Sequence, residues 1–230
     1  MKNIKNLSTH LKGIIDKNLD NNINSFKIKS DGSYASNIDL LIEKELIKFV
    51  KSKFKNIKII SEEDPSTHYE NYILGDKYCI IDPIDGTENF LCNNKMFGCA
   101  ISLTYIDFHF DFIYIPSINA VICNDKESIK IKDKKVPKIH LLSTKCLGKK
   151  FNNKSKYRIL GSSSFMFYNL FMKKAYSYTY CDGAKIWDCF TGIRLAKFIG
   201  LKIILNNPLT LSNWLINPSH LTSFEITWEY

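Results

Sequence analysis

The reading turns on IIDPIDGTENF, residues 80–90. Residues 78–81 form a short apolar run of strand character, and Asp82 stands at its end. Asp85 follows after Pro83 and Ile84, so a tight turn brings both carboxylates to one point. Pro83 fixes its own φ and restrains the residue before it. Gly86 permits close approach of the backbone to an anion. Thr87, Glu88 and Asn89 then open a helix whose free N–H groups favour phosphate. Carboxylates set this way suit Mg²⁺, which takes hard oxygen ligands and borrows phosphate oxygens from a substrate. A plain Asp/Pro/Gly surface turn would look similar in isolation. Two further acid clusters argue against that: Glu62, Glu63 and Asp64 in SEEDP, and Asp188 in IWD, each at a strand end or helix start.

Outward from this segment, helices and strands alternate. Leu7, Leu11, Ile14 and Ile15 recur at helical spacing, as do Ile38, Leu41, Ile42, Leu46, Phe49 and Val50, with a cap near Ser36 or Asn37. Short strands are expected at 57–60, 139–142 and 201–205, two or three antiparallel strands across 99–123, and helices over 163–175 and 186–199. Residues 124–138 are strongly charged and read as a connection. The fold class is therefore layered α/β. The expected division is 1–138, an α/β half with most of the acid clusters, and 139–230, an α/β half that completes the site.

Composition narrows the rest. The chain has 230 residues, of which 45% are hydrophobic and 24% charged, enough apolar mass for a core. No apolar run approaches the roughly 20 residues that span a bilayer, and residues 1–18 lack the pattern of a secretory signal. A cytoplasmic location is expected. The net charge is +9, which invites a nucleic-acid reading. Only Arg158 and Arg194 are arginines, and the lysines are scattered rather than gathered in one stripe. The charge instead suits steering of a small polyanion. The seven cysteines form no C-x-x-C pair and read as buried free thiols in a reducing compartment. The five histidines are dispersed and read as structural or surface residues.

Four segments together resemble the inositol monophosphatase superfamily, the lithium-sensitive, magnesium-dependent phosphatases. IIDPIDGTENF is similar to its signature, SEE to its Gly-Glu-Glu site, IWDCFTG to its second signature and KSDGSYASNID to its N-terminal segment. They occur in family order across residues 29–192. The resemblance implies an αβαβα sandwich and two or three Mg²⁺ per site. Glu62, Asp82, Asp85 and the Ile84 carbonyl would hold the first two ions, with Asp188 completing the second. Glu62 and Thr87 would orient the attacking water, with Asp39 bonded to Thr87. The N–H groups of Gly86 and Thr87 would receive phosphate. Asp188, Lys29, Ser162 and Lys145 are the remaining candidate substrate contacts. Asp39 could also complete a helix N-cap box after Ser36. Lys29 could be a solvated lysine, Glu63 a spare turn acid, and Trp187 packing beside the ligand.

SEEDPSTHYENY, KSDGSYASNID and LGSSSF lean toward the 3'(2'),5'-bisphosphate nucleotidases, which take the 3'-phosphate from 3'-phosphoadenosine 5'-phosphate. DGTENF leans toward inositol and sugar monophosphatases. LLSTKC stands where the nucleotidases carry a Ser-Arg-Ser-His loop, and Lys145 lacks arginine's bidentate geometry. The partner implied is a small phosphorylated substrate, with no membrane. The resemblance allows a homodimer. The reading from another class is a non-catalytic basic protein that binds nucleic acid.

Overall fold

A computed structural model describes residues 2–21, 25–68, 74–125, 129, 135–152, 154–206, 210–216, 218 and 223–229. Helix α1 (Lys2–Leu19) leads into a hairpin of β1 (Phe26–Ile28) and β2 (Tyr34–Ser36), then α2 (Asn37–Lys53). Next come β3 (Lys58–Ser61), β4 (Lys77–Asp85), α3 (Thr87–Leu91), β5 (Gly98–Tyr105), β6 (Phe108–Ile115) and β7 (Ala120–Cys123). The second half holds β8 (Ile139–Leu142), β9 (Lys156–Arg158), α4 (Ser163–Phe171), β10 (Ser177–Tyr180), α5 (Ile186–Ile199), β11 (Lys202–Leu205), α6 (Leu211–Ile216) and β12 (Phe224–Thr227).

One sheet has the order β3-β4-β5-β6-β7, and a second the order β11-β12-β10-β8-β9. The first is buried on both faces, and its strands read as near-continuous apolar runs for that reason. Successive side chains of a strand point to opposite faces. Cys79, Ile81, Ile101, Leu103, Phe110 and Phe112 accordingly meet Leu11, Ile15, Ile42 and Leu46 of α1 and α2. Tyr78, Ile80 and Ile113 meet Phe167, Leu170, Phe190 and Ile193 of α4 and α5 on the other side. Tyr178, Phe224 and Ile226 of the second sheet close over the same helices. The layers therefore alternate, helices α1 and α2, sheet, helices α4 and α5, sheet. The outer helix layer of the expected sandwich is not among the described residues, where Lys202 and Ile204 of the second sheet face outward.

Two expectations change. Strand β4 does not end at Asp82: it continues to Asp85 through a register shift, Asp82 pairing with Ala100 and Asp85 with Gly98. A regular strand would send residues three apart to opposite faces. One extra residue restores them to the same face, and Pro83 is tolerated because a bulge leaves its missing N–H unneeded. Second, the cysteines are not all free. Cys146 and Cys181 form a disulfide, because they follow β8 and β10, parallel neighbours whose ends lie side by side. Of the free cysteines described, Cys79, Cys99, Cys123 and Cys189 are buried and Cys92 is exposed. The segment after α1 is a hairpin, with Phe26 paired to Ser36 and Ile28 to Tyr34. Most of the connection expected over 124–138 lies outside the described residues.

Candidate active site

The parallel pairing of β3 with β4 sets Ser61 opposite Ile81, and the chain after β3 is tied down by the Glu62 N–H donating to the Ile81 carbonyl at 3.2 Å. Glu62 and Glu63 thus emerge beside Asp82. Buried Glu43 on α2 fixes this acidic turn, accepting from the Ser61 hydroxyl and, at 3.0 Å, from the Glu63 N–H. Nothing but its place on the apolar face of a helix marked Glu43 in the sequence.

Gly86 begins α3 with φ of 90°, a conformation glycine adopts without strain. A Cβ there would also stand 2.8 Å from Ser162 Cβ, so glycine is what lets the two halves of the chain meet at this point. Thr87 Oγ1 lies 3.0 Å from Asp39 Oδ1 and 3.0 Å from the Ile84 carbonyl. Its one proton goes to the stronger acceptor, the carboxylate, which leaves the Ile84 oxygen available. Asp39 also completes the capping box of α2, its Oδ2 accepting from the Ser36 N–H at 2.9 Å. The capping role and the Thr87 contact therefore coexist, one on each oxygen.

Asp85 reaches across to α4. Its carboxylate accepts from Ser162 Oγ at 3.0 Å, the Ser163 N–H at 3.1 Å and the Ser164 N–H. Ser162, expected to touch substrate, has its hydroxyl bonded to Asp85 and to the Phe165 N–H instead. Asp188 sits in the first turn of α5, with Tyr180 OH donating to its Oδ2 at 3.2 Å. Lys29 is not a solvated lysine: its Nζ lies 2.8 Å from Glu62 Oε1 and 2.6 Å from Glu63 Oε1. Trp187 packs, stacking on His68 with centroids 4.4 Å apart. Lys145 is exposed, and among the described residues no site residue touches it. Tyr180 joins the site without a motif to announce it, and Ser163 and Ser164 of LGSSSF join it through their N–H groups.

The electrostatics are one-sided. Burial raises the pKa of Asp82 well above the usual carboxylate range, and Glu62, Asp85 and Asp188 raise it further. Asp188 is pushed up by burial, then by Glu62 and Asp85. Glu62 and Asp85 are also raised by burial, opposed by Lys29 in the first case and by the α4 N–H groups in the second. Glu63 rises to about 7 through burial and the neighbouring Glu62. Lys29, which burial alone would lower, is raised by Glu62 and Glu63.

Among the described residues, no three His, Cys, Asp or Glu side chains stand in ready metal-ligating geometry. Lys29 holds Glu62, and α4 holds Asp85. The donor set nevertheless fits a hard divalent cation. Both carboxylate oxygens of Asp82 are buried with no hydrogen-bond partner, a costly arrangement for a charged group. Three more carboxylates add repulsion that a cation relieves, and oxygen donors are what Mg²⁺ and Ca²⁺ take.

Comparison with known proteins agrees with this constellation. Residues 2–124, more than half of the chain, match the inositol monophosphatase family. The chain belongs to that family. A 3'(2'),5'-bisphosphate nucleotidase, CysQ of Haemophilus influenzae, is 29% identical over 77 residues, 34% of this chain and 29% of the relative. The Nus factor SuhB of Pasteurella multocida is 30% identical over 76 residues, 33% of this chain and 27% of the relative. The matched stretch thus spans under a third of either curated relative. The calcium-bound inositol monophosphatase family protein of Staphylococcus aureus shares the fold, with a TM-score of 0.76 at 16% identity, over 98% of this chain and 90% of that one. Among the described residues of this family member, no helix is long and apolar enough to cross a membrane.

Proposed function

We propose that the chain is a metal-dependent phosphomonoesterase, and that its substrate is a 3'(2'),5'-bisphosphate nucleotide such as 3'-phosphoadenosine 5'-phosphate. The observation that carries the first part is Asp82, whose two buried, unpartnered oxygens sit within a group of mutually repelling carboxylates beside the Thr87–Asp39 pair. The SEEDP and LGSSSF segments and the likeness to CysQ support the second.

Glu62, Asp82, the Ile84 carbonyl, Asp85 and Asp188 would hold the divalent ions. Bound there, such ions neutralise phosphate charge and lower the pKa of a water molecule. The protein's own groups do the rest. Asp39 accepts the hydrogen bond of the Thr87 hydroxyl, so the Thr87 oxygen presents lone pairs that accept from the attacking water and orient it. Glu62 receives the water's proton, and Lys29 keeps Glu62 in position. Gly86 and Thr87 N–H groups bind the transferred phosphate. Tyr180 fixes one oxygen of Asp188. No covalent nucleophile is required. The site would form where the halves 1–138 and 139–230 meet, and a cytoplasmic location and a homodimer fit this reading.

A second reading, an inositol or sugar monophosphatase, is favoured by DGTENF and by the absence of arginine from the loop around Lys145. The deciding experiment is magnesium-dependent phosphate release from 3'-phosphoadenosine 5'-phosphate, inositol 1-phosphate and a sugar bisphosphate at equal concentration. Preference for the nucleotide is expected. Preference for inositol or the sugar transfers the proposal to the second reading. Asp85→Asn should abolish turnover and lose most of the Mg²⁺-induced rise in Tm. Wild-type turnover in that variant would overturn the metal chemistry.

A further inference from the structure

A second polar cluster lies farther along α5 than Asp188. Arg194, on α5, is nearly enclosed, and its guanidinium faces a hollow of about 500 Å³. Its Nε donates to Asp111 Oδ2 at 3.1 Å, and its Nη1 to Tyr78 OH at 2.7 Å and Thr104 Oγ1 at 3.0 Å. A guanidinium has five N–H donors, and these contacts use the Nε hydrogen and both on Nη1. The two on Nη2 have no protein acceptor among the described residues.

His109 Nδ1 lies 3.0 Å from Thr104 Oγ1, which accepts from Arg194. Where the Thr104 hydroxyl donates to Nδ1, the hydrogen of a neutral imidazole sits on Nε2 and has no acceptor among the described residues. Burial, and then Arg194, lower the His109 pKa, in keeping with the neutral ring. The side chain of Lys197, one turn beyond Arg194 along α5, makes no hydrogen bond or ion pair with a described residue. Among the described residues Asp111 is the one acid of the lining, and it is already engaged by Arg194 and by Ser102 Oγ. The lining also carries apolar side chains, with Phe198 of α5 45% exposed and Ile216 of α6 67% exposed.

We propose that this hollow is a binding site for a small organic oxyanion, its charged head held by Arg194, His109 and Lys197 and its apolar body lying over Phe198 and Ile216. A planar guanidinium edge matches the two oxygens of a carboxylate or phosphoryl group. The volume lies within the range of small-ligand sites, and a few convergent donors set in an apolar wall are their usual composition. The site is separate from the Asp82 group and does not depend on what that group hydrolyses.

The test is calorimetric titration of the full-length protein in Mg²⁺ with benzoate and with phenylphosphonate, a carboxylate and a non-hydrolysable phosphoryl head on the same ring. Benzyl alcohol is the uncharged control. Saturable binding of one or both anions is expected. Lys197→Glu should weaken it at least tenfold, and benzyl alcohol should not saturate. His109→Ala, at a half-exposed position, is a second variant that leaves the buried Arg194–Asp111 pair intact, and several-fold weakening is expected. Absence of saturable anion binding, or equal affinity in wild type and both variants, would overturn the proposal.

Discussion

Asp39 shows how one buried side chain serves two ends. Burial raises its pKa, while Ser36 and Thr87 hydrogen bonds favour the charged form. The Ser36 contact fixes α2, and the Thr87 contact sets the direction of a hydroxyl. Removing that hydroxyl should therefore harm chemistry more than folding. Thr87→Ala is expected to lower kcat by about 10²–10⁴, the range for loss of a positioned proton-handling group, with KM little changed. Thr87→Ser keeps the oxygen and should recover much of the loss. Steady-state kinetics on the preferred phosphate ester decide it, and equal defects in both variants would count against the hydroxyl's role. The acids themselves were legible because Asp82, Asp85 and Asp188 stand in short motifs with Pro, Gly or Trp beside them. Glu43 and Tyr180 were not, since each acts through a side-chain contact to another element that no local pattern marks, and LGSSSF did not show that the Ser163 and Ser164 N–H groups hold Asp85. The destination of the Ser162 hydroxyl, Asp85, depends on how α4 abuts β4, and no local pattern carries that.

At the scale of elements, the central helices were the most readable. The sequence expectation for α5, 186–199, coincides with the observed Ile186–Ile199, because its apolar residues recur at helical spacing up to a glycine stop at Gly200. Strand β10 carries a plain two-residue alternation in SYTY, with Tyr178 and Tyr180 turned to one side. By contrast β1 and β9 are three residues each, too short for any period to show. The bulge in β4 left no mark except Pro83. Packing of α4 on α5 was also hidden, although it depends on one residue. A Cβ on Gly192 would stand 2.1 Å from the ring of Phe167, so the helices touch at that point with no room for a methyl group. Gly192→Ala should destabilise the protein by about 1–3 kcal/mol, the usual cost of overpacking, a fall in Tm of roughly 2–10 °C for a chain of this size. Thermal unfolding measures it. Phe167→Leu in the same background should recover part of the loss by clearing the ring, and an unchanged Tm in Gly192→Ala would show that the helices are not in close contact.

The whole molecule gathers carboxylates from elements far apart in the chain, and their repulsion opposes the folding that unites them. Asp82, Asp188, Glu62 and Asp85 all have folded-state pKa values raised above the ordinary carboxylate range. In the unfolded chain they return to values near 4. Between those limits the folded protein binds more protons than the unfolded one, so stability falls as pH rises. Freed of divalent cations, the protein should therefore melt at a lower temperature at pH 8 than at pH 5.5. Cations that bind the folded state stabilise it by an amount that grows with the logarithm of concentration over Kd, and they bind deprotonated carboxylates. Added Mg²⁺ should then raise Tm more at pH 8 than at pH 5.5, narrowing or reversing the difference. Asp82→Asn removes the most strongly buried of these charges, so its metal-free Tm should depend less on pH and respond less to Mg²⁺. A metal-free Tm that rises from pH 5.5 to pH 8, with the same Mg²⁺ response at both, would mean that the cluster does not govern the pH dependence of stability.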